Sequence, residues 1–167
     1  MSPGKDPETG RRGKPGSRRR RARLAAVQAL YQIELTGALV PTTIAEFRHH
    51  RLSGDLDGVP MDDVDPEFFA ELVAGVGQNR SELDRRIAGV LTPDWPLERL
   101  DTVLRAILRA GAFELCYRTD TPAKVAISEY MAVADSFFSG REPALVNGVL
   151  DRIARQAGAG EPHTSPA

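Results

Sequence analysis

From Ser17 onward, apolar residues return at three- and four-residue intervals, the period of helices that each bury one face. Ser17 is placed to N-cap a first helix on which Leu24, Val27, Leu30, Tyr31 and Leu35 share one stripe, and Gly37 supplies its stop. Thr43 and Glu46 have capping-box spacing for a short second helix. Asp65-Pro66, a cap followed by proline at the first helical position, opens a third through Phe68, Phe69, Leu72, Val73 and Val76. Leu83, Ile87 and Leu91 continue as a fourth after Ser81.

Pro93 and Pro96 break the chain around Trp95. Beyond them Leu100, Val103, Leu104, Ile107, Leu108, Leu115 and Cys116 cover more than one stripe, which predicts a central helix touched on several sides. Thr121-Pro122 repeats the cap-then-proline signal before Val125, Ile127, Tyr130, Met131, Ala134, Phe137 and Phe138, up to Gly140. A last helix starts near Pro143 and runs through Leu145, Val149, Leu150 and Ile153 to Gly158. The expected fold is all-α, with about seven helices, no convincing strand and no repeat period. Ser53 to Asp65, holding Gly, Pro and Asp, reads as a loop or an insertion. Residues 1–16 carry no apolar side chain beyond Met1, so a disordered basic arm is expected there, then a helical domain over 17–158 and a frayed tail over 159–167.

Charge changes this picture. The net charge of −1 conceals nine Lys or Arg against two Asp or Glu in residues 1–23, net +7, on a remainder of net −8. Arg18, Arg19, Arg20, Arg21 and Arg23 crowd the opening turns of the first helix. The positive end of the helix dipole disfavours each exposed cation there by roughly 0.3–1 kcal/mol, and like charges four apart, such as Arg19 and Arg23, add to the cost. A polyanion offsets it, because guanidinium groups and the free N–H groups of a helix start both pair with phosphate. The simpler reading is a solvated basic arm. An anionic lipid surface is a poorer fit, since the arm has no apolar face to insert.

Enzymatic chemistry finds little support. His49 and His50 are adjacent on a polar helix and His163 lies in the tail; neither HExxH nor GxxxxGK occurs. Gly75-Val76-Gly77 sits at a helix end, away from any strand. Asp62, Asp63 and Asp65 are read as a loop and an N-cap before a metal site, and the lone Cys116 as a core thiol. No catalytic residue, metal or cofactor is expected. With no apolar run long enough to span a bilayer and no signal-peptide h-region, the expected location is the cytoplasm.

Four blocks carry a family resemblance. Arg18-Arg19-Arg20-Arg21-Ala22-Arg23 with Ala26-Val27-Gln28-Ala29-Leu30-Tyr31 resembles the arginine-rich first helix of the NusB family. Ile107-Leu108-Arg109 with Phe113-Glu114-Leu115, then Pro122 to Glu129, then Val146 to Asp151, resemble its C-terminal signatures in the family's order. The resemblance spans roughly Ser17 to Arg155. It implies two packed helical subdomains and a non-enzymatic antitermination factor that binds boxA-like single-stranded RNA of nascent ribosomal RNA transcripts. The implied partner is NusE, also a small-subunit ribosomal protein, and the pair loads the antitermination complex on RNA polymerase.

Carried over by position, the resemblance gives Arg18, Arg19, Arg20, Arg21 and Arg23 phosphate contacts. It places Lys124, Phe137, Arg141, Leu145 and Asn147 on the rest of the RNA surface, and Tyr31 and Glu98 on the NusE-facing side. Leu145 departs from the family, which can have an aromatic residue there, so base stacking at that position must come from another side chain such as Phe137 or Arg141. Gly148, inside an apolar helix, suggests close approach of a neighbour. Tyr31 on an apolar stripe also has a plain core reading.

Two other functions compete. One is a stand-alone RNA-binding relative of the N-terminal domain of ribosomal RNA cytosine methyltransferases, which would need a separate catalytic polypeptide. The other is a structural DNA-binding protein, acting alone or as a dimer, although recognition helices normally follow a short helix and turn. The pattern leaves a homodimer open.

Overall fold

A computed structural model describes residues 15–51, 55–56, 59–60 and 64–158. Most of the arm expected over 1–16, the tail over 159–167, and Asp62 and Asp63 lie outside these. The helices are α1 (Pro15–Thr36), α2 (Val40–Arg51), α3 (Pro66–Gln78), α4 (Arg80–Val90), α5 (Thr102–Tyr117), α6 (Ala123–Phe137) and α7 (Glu142–Gln156), with one 3-10 turn at Leu97–Arg99. The all-helical expectation holds with one small exception. Inside the segment read as a loop, Asp55–Leu56 and Val59–Pro60 pair as a two-residue antiparallel hairpin, β1 and β2.

The starts and stops follow local chemistry. Gly37 takes the left-handed conformation (φ 68°) and its N–H donates to the Ile33 carbonyl, ending α1. Asp65 caps α3 by accepting from the Phe68 N–H at 3.0 Å, with Pro66 at the first position as expected. Asp101 does the same for α5, accepting from the Val103 N–H at 2.8 Å. Four expected caps are corrected. α1 begins at Pro15, so Ser17 lies inside its first turn. α2 begins at Val40, and Thr43, buried in its first turn, donates its hydroxyl back to the Leu39 carbonyl. α4 starts at Arg80, ahead of Ser81. Before α6 the cap position falls on Pro122, and the Thr121 hydroxyl has no partner.

α5 is the central helix, buried without a break from Ala106 to Leu115. α1 and α3 pack on one side of it and α4, α6 and α7 on the other, while α2 lies on α3, giving two helical groups that share one axis. The close approaches are made by glycines other than Gly148, which faces open space. A Cβ at Gly111 would stand 2.7 Å from a Leu150 methyl, and Gly75 leaves room for the Phe113 ring. α1 departs from its expected stripe at its end, where Tyr31 is 37% and Leu35 60% exposed.

Candidate nucleic-acid interface

The arginines that open α1 diverge because successive residues turn by about 100°. Arg23 turns inward and is 4% exposed. Its Nη2 donates to Glu114 Oε1 at 2.6 Å and its Nε to Oε2 at 3.0 Å, while the Tyr130 hydroxyl donates to the same Oε2 at 2.7 Å. Burial disfavours the Arg23 charge, but the hydrogen bonds and the charge of Glu114 outweigh it and hold its pKa above the ordinary value. Burial first, then Glu114, drive the Tyr130 pKa well up, so it stays a neutral donor. Arg23, carried over as a phosphate contact, is therefore the least available of the five arginines. Its guanidinium is enclosed and already paired with a carboxylate.

Arg20 is different. Its side chain is 66% exposed, and Nε and Nη2 each donate to the Glu129 carboxylate at 2.9 Å, which raises its pKa. Arg19 reaches Asp120 at 3.5 Å. Arg18 donates to the Val64 carbonyl at 3.5 Å, and its buried Nε has no partner. Arg21 is half-buried. The guanidinium groups of Arg19, Arg23 and Arg118 gather within 5.1–5.2 Å of the Phe68 ring centre, a face that tolerates cations.

The polypeptide thus neutralises part of its own arginine crowd, contrary to the sequence-based expectation that a polyanion alone does so. The pairs are unequal. The Arg20 side of its pair with Glu129 is open to solvent, so an incoming phosphate can compete with the carboxylate for it. The enclosed Arg23–Glu114 pair offers no such exchange.

Arg18, Arg19, Asp120, Thr121, Pro122 and Glu129 line a cleft of about 430 Å³. Two of its donors, Arg18 Nε and Thr121 Oγ1, are unsatisfied. Lys124 stands exposed in the first turn of α6, next to this cleft.

At the other end of α6, about 21 Å away at 1.5 Å per residue, a second group assembles. Phe137, 41% exposed, ends α6. Arg141 is exposed at the N-cap of α7, and Leu145 is half-buried one turn on. Asn147 is exposed but two residues beyond Leu145, about 160° round the helix, so it does not share that face.

Of the two residues placed on the partner side, Glu98 is joined through Arg105 to Glu34, which lies one turn from Tyr31 on α1. Arg105 donates to the Glu98 carbonyl at 3.2 Å and to the Glu34 carboxylate at 2.6 Å. Tyr31 and Leu35 flank Glu34 on α1, and both expose apolar surface. Leu35 was read as core; its exposure next to Tyr31 could not be told from helical period alone.

Other residues were missed but had signals. Glu114 in the most apolar helix called for a buried cation, and Trp95, read only as part of a break, is 46% exposed. Cys116 is half-buried rather than fully buried, and burial pushes its thiol pKa up, away from reactivity. Among the described residues no His, Cys, Asp or Glu group is arranged to hold a metal, and no helix is long and apolar enough to cross a membrane. Asp65, once weighed as a metal ligand, is the α3 cap.

Comparison with known proteins places this geometry. The NusB family model matches residues 20–155. The transcription antitermination protein NusB of Caulobacter vibrioides is 52% identical over 136 residues, covering 81% of this chain and 91% of that protein. Among solved structures, NusB of T. maritima superposes with a TM-score of 0.70 at 30% identity, covering 86% of this chain and 92% of the other. A structure of antitermination factors NusB and NusE in complex with dsRNA gives a TM-score of 0.68 at 23% identity over 82% of this chain and 96% of the other, and supports the fold.

Proposed function

The chain belongs to the NusB family, and from that premise we propose that it is a transcription antitermination factor acting on nascent ribosomal RNA. In this reading it binds boxA-like single-stranded RNA together with a NusE ribosomal protein and helps load the antitermination complex on RNA polymerase. It works in the cytoplasm, by recognition and scaffolding without catalysis.

One observation carries the proposal. Arg19 and Arg20 keep guanidinium surface open to solvent, and they stand beside a cleft with two unsatisfied donors, Arg18 Nε and Thr121 Oγ1. Phosphate oxygens supply the acceptors those donors lack. Arg21 and Lys124 extend the cationic surface, and Phe137 at the end of α6 and Arg141 at the start of α7 lie far enough away for a strand to span several nucleotides. In this reading the RNA-binding domain spans residues 17–158.

On the opposite end of α1, about 33 Å long, Tyr31 and Leu35 with Glu98 form the surface for NusE. RNA and protein partner thus occupy separate ends of one helix. A homodimer through the same apolar residues is the competing use of that surface.

The test is a titration of the full chain, with and without NusE, against fluorescently labelled boxA-like RNA, a scrambled strand, a dsRNA and a duplex DNA. Preference for the boxA-like strand in the presence of NusE is expected. Equal binding of all four, or no effect of NusE, overturns the proposal.

A further inference from the structure

We propose that a cleft beside the α4–α5 connection takes a single unstacked RNA base, with Trp95 as its stacking platform. This deepens the RNA-binding reading above and rests on it.

The cleft has a volume of about 340 Å³ and is lined by Trp95, Arg141, Glu142, Ala144 and Leu145. Its walls are unlike in chemistry. Trp95 is 46% exposed, a costly way to leave an indole unless something covers it. Arg141 is exposed, with no ion-pair partner among the described residues. Leu145 and Ala144 supply an apolar floor from α7. One carboxylate oxygen of Glu142 is buried without a hydrogen-bond partner.

An aromatic plane, a free guanidinium and an unsatisfied acceptor around a small apolar pocket match the three parts of one nucleotide. The base stacks on the indole, the phosphate pairs with Arg141, and a base N–H donates to Glu142. An amino-bearing base fits best. Adenine, cytosine and guanine offer an exocyclic N–H donor, whereas the one ring N–H of uracil stands between two carbonyls that a carboxylate repels. A protein side chain would also cover Trp95, but it leaves the Arg141 charge without an anion.

The pocket also accounts for Leu145. An aromatic side chain at that position would enter the space that the cleft now leaves open, so the stacking face has moved from α7 to the connection before α5. Specificity at this point of the strand rests on Trp95, a residue outside the arginine helix.

Trp95 is the only tryptophan of the chain, so its emission reports the pocket directly. Titrating the full chain with a labelled boxA-like RNA should quench Trp95 emission in parallel with the rise in label anisotropy. Trp95→Ala should weaken binding by roughly 5- to 100-fold and Trp95→Phe by much less, with unchanged far-UV circular dichroism. Replacing amino-bearing bases by uracil one at a time should weaken wild-type binding at a single position, and Glu142→Gln should reduce that discrimination. If anisotropy rises while Trp95 emission stays constant and Trp95→Ala binds like wild type, the pocket is refuted and the RNA-binding reading stands. If the wild-type chain binds no RNA at all, both fall.

Discussion

Arg23 and Glu114, 91 residues apart in sequence, meet in the core with Nη2 2.6 Å from Oε1, and the pair fastens the start of α1 to the middle of α5. The contact makes Arg23 a structural residue at the edge of a functional row. Its neighbours can trade a carboxylate for a phosphate. Arg23 cannot do so without emptying the core.

Breaking this pair should therefore unfold the protein before it affects RNA binding. Removing one partner of a buried ion pair leaves the other charge stranded at a cost of about 3–5 kcal/mol. Glu114→Ala strands Arg23 and also deprives the Tyr130 hydroxyl of its acceptor. Urea denaturation should show a loss of that size, and a loss under about 1 kcal/mol would mean that the pair is not enclosed in solution.

Arg20 and Arg21, nearer the surface, should behave differently. Arg20→Gln with Arg21→Gln removes two cations from the positive end of a helix, so thermal stability should fall far less than for Glu114→Ala. Charge reversal is the poorer probe, because a carboxylate at Arg20 would face Glu129. RNA affinity should fall, and with it the salt dependence. Arg18, Arg19, Arg20 and Arg21 together with Arg141 neutralise five phosphates on a single strand, a slope of about −3.5 in log affinity against log salt. The double variant should flatten the slope by about 1.4. An unchanged slope would remove these two residues from the RNA surface.

Carboxylates that hold the arginines should compete with RNA. Asp120 accepts from Arg118 and faces Arg19, and the hydrogen bonds from Arg118 keep its pKa below the usual aspartate value. Since the folded-state pKa is depressed, its stabilising contribution is complete above the unfolded value near 3.9 and is lost as the pH falls through the folded value. At neutral pH Asp120 therefore carries a full charge against incoming phosphate. Asp120→Asn and Glu129→Gln should each strengthen RNA binding, by up to about fivefold, the equivalent of a surface ion pair of about 1 kcal/mol. Weaker binding in isothermal titration would show that these carboxylates position the arginines for RNA instead of competing for them.

The helix pattern was legible because burial of one face writes a 3.6-residue period, and Asp65-Pro66 and Gly37 mark boundaries that follow from local chemistry alone. Period alone does not distinguish a stripe that meets the core from one that continues into solvent, so Leu35 shares the buried stripe of α1 in the sequence pattern and yet is 60% exposed. Pairing across the chain is also invisible locally. In sequence Arg23 looks like Arg20; their partners Glu114 and Glu129, more than ninety positions away, leave Arg23 enclosed and Arg20 open to solvent. Trp95 belonged to a pocket formed by two segments that are distant in sequence, which no one-dimensional pattern registers.

The exposed end of α1 supplies the last prediction. Leu35 is 60% and Tyr31 37% exposed one turn apart, and Arg105 ties Glu34 between them to the Glu98 backbone. The side chains offer apolar area to a partner while contributing little to the core. Leu35→Asp should leave the melting temperature within a degree or two, because surface substitutions away from buried features cost at most about 0.5 kcal/mol. It should nevertheless weaken capture of NusE by at least tenfold, since a new carboxylate would be desolvated in the contact. RNA binding by the isolated chain should be unaffected, because the arginine row lies at the other end of the helix. Measuring NusE and RNA affinities side by side separates the two surfaces. If Leu35→Asp lowers RNA affinity of the isolated chain as much as NusE affinity, the division of α1 into an RNA end and a protein end is wrong.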